Sequence, residues 1–130
     1  MAINLNLLKE VLSVPTVSRH EGIMVEYLTN YLTNKGYDFY IDERMNIYVT
    51  KQTSENVEYF PCVVAHTDSV HRIVEMDILE REDDEDILYA VEKGTNKRTG
   101  CGGDNKAGVY VCLELLERVG IPEQADKFPG

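Results

Sequence analysis

The chain has 130 residues, 43% of them hydrophobic, with a formal net charge of −10 and an isoelectric point near 4.7. That length supports one domain around one apolar core. The acidic balance excludes nucleic acid and anionic membrane surfaces as main partners, because both would be repelled at long range, and no stretch nears the ~20 apolar residues of a membrane span.

The N-terminus lacks the basic-then-apolar pattern of a secretory signal, so a cytoplasmic chain is expected. Cys62, Cys101 and Cys112 are an odd number without zinc-finger spacing, and they read as reduced and structural. Cys101 differs from the other two in lying within a glycine-rich loop.

In chain order, Leu5, Leu8, Val11 and Leu12 recur at helical spacing and predict a short amphipathic helix ending before Pro15. Ser18 followed by Glu21 has the form of a capping box for a second helix, with Ile23, Met24, Tyr27, Leu28, Tyr31 and Leu32 as its apolar stripe. Gly36 stands where a left-handed residue would end it. His20, at the start of this helix, reads as an exposed histidine. Tyr37–Ile41 and Ile47–Val49 read as strands joined by a turn, and the polar segment from Gln52 to Glu58 as a loop.

Phe60–Ala65 has the composition of a buried strand. The mixed stretch from Val70 to Glu80 leads to Arg81–Asp86, an acidic run that reads as a solvated hairpin tip, since it lacks the spaced ligands and glycine of a calcium loop. Ile87–Val91 resumes as a strand, Glu92–Arg98 is a polar turn, and Asn105–Val119 has helical periodicity. Glu114 and Glu117 read as the solvated face of that last helix, and Ile121–Gly130 as a polar tail. With no internal repeat or linker, residues 1–130 read as a single domain. The element order implies an α/β fold, a three-layer arrangement of a mixed sheet with flanking helices.

Two runs carry the chemistry. Pro61-Cys-Val-Val-Ala-His-Thr-Asp68 places His66 and Asp68 at the end of an apolar strand, where polar groups are delivered to a sheet edge. At such an end Asp68 could accept from one nitrogen of His66 while the other nitrogen binds a metal. A His-x-Asp triplet alone also fits an incidental, structural role. The second run, Thr99-Gly-Cys-Gly-Gly-Asp-Asn-Lys-Ala-Gly108, brings a flexible backbone and one acid, Asp104, to a helix N-terminus, where negative charge is favoured. It is not a phosphate loop: Asn105 rather than glycine precedes Lys106, and a dinucleotide fingerprint from Gly100 would require glycine at 105.

These paired motifs, with the opening Leu7-Leu-Lys-Glu-Val-Leu-Ser-Val-Pro-Thr-Val-Ser18, resemble the zinc-dependent exopeptidases of the M20 type, whose relatives include the M28 and M42 aminopeptidases and tripeptidase T. The resemblance implies that His66 ligates one zinc, that Asp68 is the catalytic-site acid behind it, and that Asp104 is the carboxylate bridging two zincs, with cobalt or manganese as substitutes. Asn105 stands where the family often has a second aspartate. The family often has a cis peptide after the bridging aspartate, so Asp104–Asn105 is expected to be cis.

The resemblance also implies hydrolysis of a peptide substrate by a metal-activated water. The family's Glu-Glu pair and later ligands lie C-terminal to the glycine-rich motif, however, and this sequence ends 26 residues after Asp104. The chain therefore reads as the N-terminal part of such a catalytic domain, with a sheet edge and helix face left for a missing C-terminal half or for a second copy in a homodimer. A different reading is a catalytically inactive half-domain that serves as an interaction module.

Overall fold

Apolar spacing builds a three-helix layer. In the computed structural model, which describes residues 3–51, 62–70, 74–84 and 86–119, α1 spans Leu5–Ser13. The Asn4 side chain opens it by accepting from the Leu7 amide at 3.1 Å, a standard N-cap. It ends as Val14 turns extended, ahead of Pro15. The buried stripe is Leu7, Val11 and Leu12, whereas Leu5 is exposed, so the helix is rotated relative to the expected Leu5–Leu8 face.

The second helix, α2, spans Gly22–Lys35 and buries Met24, Val25, Leu28 and Leu32, leaving Ile23 exposed. Gly36 ends it with a φ of 77°, in the left-handed region expected of it. The expected capping box does not form. Glu21 Oε1 accepts from the Arg19 amide at 3.0 Å instead, and the Ser18 amide is committed to the Ser69 carbonyl at 2.9 Å. A tertiary bond has taken the donor that the local motif would have used, and His20 lies exposed in the turn before the helix.

Residues Gly103–Arg118 form α3, with non-helical backbone at Asp104 and Asn105. The three helices share one core: Leu7, Val11 and Val14 meet Met24, Leu28 and Leu32, and both sets meet Val109, Tyr110 and Leu113. Val11 and Met24 are 0% exposed, so each contributes on the order of 1.5–3 kcal/mol by leaving water. Glu114 and Glu117 are not a solvated face. Glu114 accepts from Tyr110 Oη at 2.9 Å, Arg118 Nε at 3.0 Å and the Asn4 amide at 3.2 Å. Glu117 pairs with Lys35 at 3.2 Å and accepts from Tyr31 Oη, so both acids tie α3 to the N-terminal elements.

The α/β class is as expected. The described strands form two antiparallel sheets: β1 (Phe39–Ile41) with β2 (Ile47–Val49), and β3 (Met76–Glu80), β4 (Leu88–Glu92) and β5 (Arg98–Thr99) in the order β3-β4-β5. The β1–β2 turn is held by Asp42, whose side chain accepts from the Arg44 and Asn46 amides at 2.9 Å. The described residues of the acidic run, 81–84 and 86, are exposed at the tip of the β3–β4 hairpin. The two-residue strand β5 falls within the segment read as turn and loop, too short to carry a period of its own.

Residues 62–65 are the largest departure from the sequence reading. They carry no strand pairing among the described residues, and Val63 is 55% and Val64 82% exposed rather than buried. No described element lies over these two valines. The expected loop at 52–58, Phe60 of the expected strand and the tail at 121–130 lie outside the described residues. No helix among the described residues is long and apolar enough to cross a membrane.

Candidate metal centre

The two motifs converge. His66 follows the exposed residues 62–64 and half-buried Ala65, and Asp104 projects from the kinked start of α3, with 94% of its side chain accessible. His66 Nε2 lies 3.1 Å from Asp104 Oδ1. On the other edge of the ring, Nδ1 lies 3.0 Å from Asp68 Oδ1 and 3.1 Å from the Asp68 carbonyl. Together with Ser69, Val70, Gly102 and Gly103 these residues line one shallow cleft.

Both groups facing Nδ1 are acceptors, so Nδ1 carries the proton and donates to Asp68. A neutral imidazole then has only a lone pair at Nε2, and that lone pair faces a carboxylate oxygen. Such a contact is satisfied only when a proton or another cation stands between the two atoms. Burial works against the charged ring, but hydrogen bonds to Asp104 and Asp68 outweigh it and hold the His66 pKa above its ordinary value. A metal would meet the same need: ligands about 2.0–2.1 Å from zinc at tetrahedral angles stand about 3.3–3.4 Å apart, close to the observed 3.1 Å.

The donor set fits a divalent metal in kind. It offers an imidazole nitrogen, a carboxylate oxygen and an outer carboxylate fixing the ring's tautomer. It is short in number, because no cluster of three or more His, Cys, Asp or Glu side chains able to hold a metal exists among the described residues.

Local backbone explains how Asp104 is presented. Gly102 has a φ of 71°, and a Cβ there would stand 3.1 Å from Ser69 Cβ and 3.3 Å from Lys106 Cε, so the loop can press onto both. The Asp104–Asn105 peptide is cis, as expected. Asn105 Oδ1 then accepts from the Gly108 amide at 3.1 Å, which makes Asn105 a side-chain cap of the regular part of α3.

Three residues near the centre escaped the sequence reading. Lys106 is 2% exposed, and its ammonium donates to the Leu12 carbonyl at 3.0 Å. Burial pulls its pKa down to about 8, against a smaller opposing influence of Cys101. Thr16 and Ser69, also buried, exchange bonds across the loops: Thr16 Oγ1 donates to the Thr67 carbonyl at 3.0 Å and Ser69 Oγ donates to the Thr16 carbonyl. A signal for Lys106 existed, since a lysine in the first turn of a helix opposes the helix dipole and requires another partner.

No protein-family model and no curated protein matches the chain. Among solved structures it is similar to a tripeptidase from Staphylococcus aureus subsp. aureus Mu50, with a TM-score of 0.69 and 24% sequence identity over 92% of this chain. The chain spans about a third of the tripeptidase it matches, 32% of its length. At that identity the likeness shows the fold: three helices and small antiparallel sheets arranged as in part of a peptidase domain.

Proposed function

We propose that the chain is the N-terminal part of a metal-dependent exopeptidase catalytic domain, with His66 and Asp104 as zinc ligands and Asp68 orienting His66. The observation that carries this reading is the approach of His66 Nε2 to Asp104 Oδ1 at 3.1 Å, with Nδ1 3.0 Å from Asp68 Oδ1 on the opposite edge of the ring. The likeness to part of a tripeptidase supports the substrate class, short peptides. A second zinc, bridged by Asp104, belongs to the same reading.

Bound zinc would supply a Lewis acid and a water acidified toward neutrality, the chemistry that peptide hydrolysis needs. The chain's own residues prepare for it. Asp68 fixes the imidazole tautomer, Asp104 adds negative charge at the helix start, and the Asn105 cap and Gly102 turn hold that carboxylate beside the ring. Among the described residues, two protein ligands fall short of the three a catalytic zinc takes. Glu114 and Glu117 are engaged with Tyr110, Arg118, Lys35 and Tyr31, away from the general-base role. On this reading the 130-residue chain binds zinc weakly and cleaves peptides only when a further polypeptide or a second copy brings a base and a third ligand.

A second reading, an interaction module without chemistry, draws on the exposed Val63, Val64 and Val70 beside the cleft. Calorimetric zinc titration of the wild-type chain and of His66→Ala separates the two. The metal reading expects binding that disappears in the variant. Zinc binding of equal strength in both proteins, or in neither, would remove His66 from the role proposed for it.

A further inference from the structure

Lys106 is a poor choice for its position on local grounds. It sits in the first turn of α3, where the helix dipole disfavours a cation, and it is 2% exposed, where desolvation disfavours any charge. What compensates is on α1. The Lys106 ammonium donates at 3.0 Å to the Leu12 carbonyl, one of the last carbonyls of that helix, which lack helical partners and carry the negative end of its dipole.

The far side of that contact leads back to the same cleft. Beyond Leu12 the chain turns through Thr16 and Ser18, and this turn grips the segment that follows His66. Thr16 Oγ1 donates to the Thr67 carbonyl at 3.0 Å, the Ser18 amide donates to the Ser69 carbonyl at 2.9 Å, and Ser69 Oγ donates to the Thr16 carbonyl. A closed path therefore runs from Asp104 through Lys106 to the end of α1, on to Thr16, and back to His66.

We infer that Lys106 is a positioning residue: its ammonium ties the Asp104 arm to the end of α1 and, through Thr16, sets the separation between His66 and Asp104. It touches neither substrate nor metal. The inference rests on the metal reading above only for its consequence, since the separation itself exists without a metal. A purely structural lysine would support the stability of the helix layer and leave the cleft geometry unchanged when replaced.

The test uses Lys106→Met, which keeps the length and apolar stem, Thr16→Val, which removes the Thr16 Oγ1–Thr67 bond on the other side of the path, and Leu113→Ala as a core variant off the path. Crystal structures give the His66–Asp104 separation, and cobalt(II) titration followed by absorption gives metal affinity. Both path variants are expected to open the contact beyond hydrogen-bond range, about 3.5 Å, and to weaken cobalt binding by up to about tenfold, the low end of the effect of removing a ligand's own hydrogen-bond partner. Leu113→Ala is expected to lose stability while keeping both. A separation unchanged in both path variants overturns the inference, as does an equal opening in Leu113→Ala. Should wild type bind no cobalt, the metal reading fails and the separation alone decides the role of Lys106; should Lys106→Met not fold, Thr16→Val decides it.

Discussion

Gly108 and Asn105 form a pair whose coupling can be worked out from the structure. In a helix interior, Gly→Ala ordinarily gains roughly 0.5–1 kcal/mol from backbone entropy. A Cβ on Gly108, however, would stand 2.1 Å from Asn105 Oδ1, so the amide must swing away and its bond to the Gly108 amide, 3.1 Å in wild type, is lost. Losing an N-cap costs about 1 kcal/mol, within a range of about 0.5–2. Gly108→Ala should therefore be neutral or slightly destabilising in wild type, the gain and the lost cap nearly cancelling. Asn105→Ala alone should cost about 1 kcal/mol. With Asn105 already replaced, nothing remains to displace, and Gly108→Ala should regain its full ~0.5–1 kcal/mol. Urea unfolding of the four proteins measures the cycle, with a coupling of about 1 kcal/mol expected. Equal effects of Gly108→Ala in both backgrounds would refute the cap and, with it, the account of how the Asp104 turn is fixed.

Two further outcomes follow from the cleft and the helix layer. Asp68→Ala should weaken zinc binding about tenfold, the low end of the usual range for an outer partner, because the Asp68 carbonyl still faces Nδ1 at 3.1 Å; calorimetry showing no change would remove Asp68 from the site. Tyr27 and Tyr31 have phenol pKa values raised above 10.0 by burial and then by Glu10 and Glu117. The folded chain keeps protons that the unfolded chain releases, so this stabilisation is complete below about pH 10 and is lost as pH rises through the folded values. Urea unfolding at increasing pH should show that decline, and replacing both tyrosines by phenylalanine should flatten it; a decline of the same slope in the double variant would assign it to other groups.

Much of the fold was legible because its signals are local. The three helices follow from apolar spacing, the end of α2 from Gly36, and the hairpin tip from five acids that cannot be buried together. Where reading by local rules failed, a tertiary partner had intervened. Ser18 has the form of a cap but its amide serves Ser69, and Glu114 and Glu117 have the spacing of a wet face, but Glu117 holds Tyr31 and Lys35 of α2 while Glu114 holds Tyr110 and Arg118 of its own helix and the Asn4 amide ahead of α1. For Lys106 the sequence signal, a cation in the first turn of a helix, says that a partner is needed, and only the fold supplies which one, the Leu12 carbonyl. The apolar run before His66 was read as buried from composition, and composition does not say what covers a strand; among the described residues nothing covers Val63 and Val64. His66, Asp68 and Asp104 were singled out by residue type and position, and their approach within 3.1 Å is a property of the fold.

The proposal that His66 and Asp104 share one metal is tested most directly by X-ray absorption at the zinc edge of the zinc-loaded chain, beside His66→Ala. The account expects one imidazole and a remainder of oxygen ligands at about 2.0–2.2 Å, with the imidazole signature absent from the variant. Sulfur at about 2.3 Å would place the metal on a cysteine instead, and an all-oxygen shell identical in the two proteins would show that zinc does not use His66.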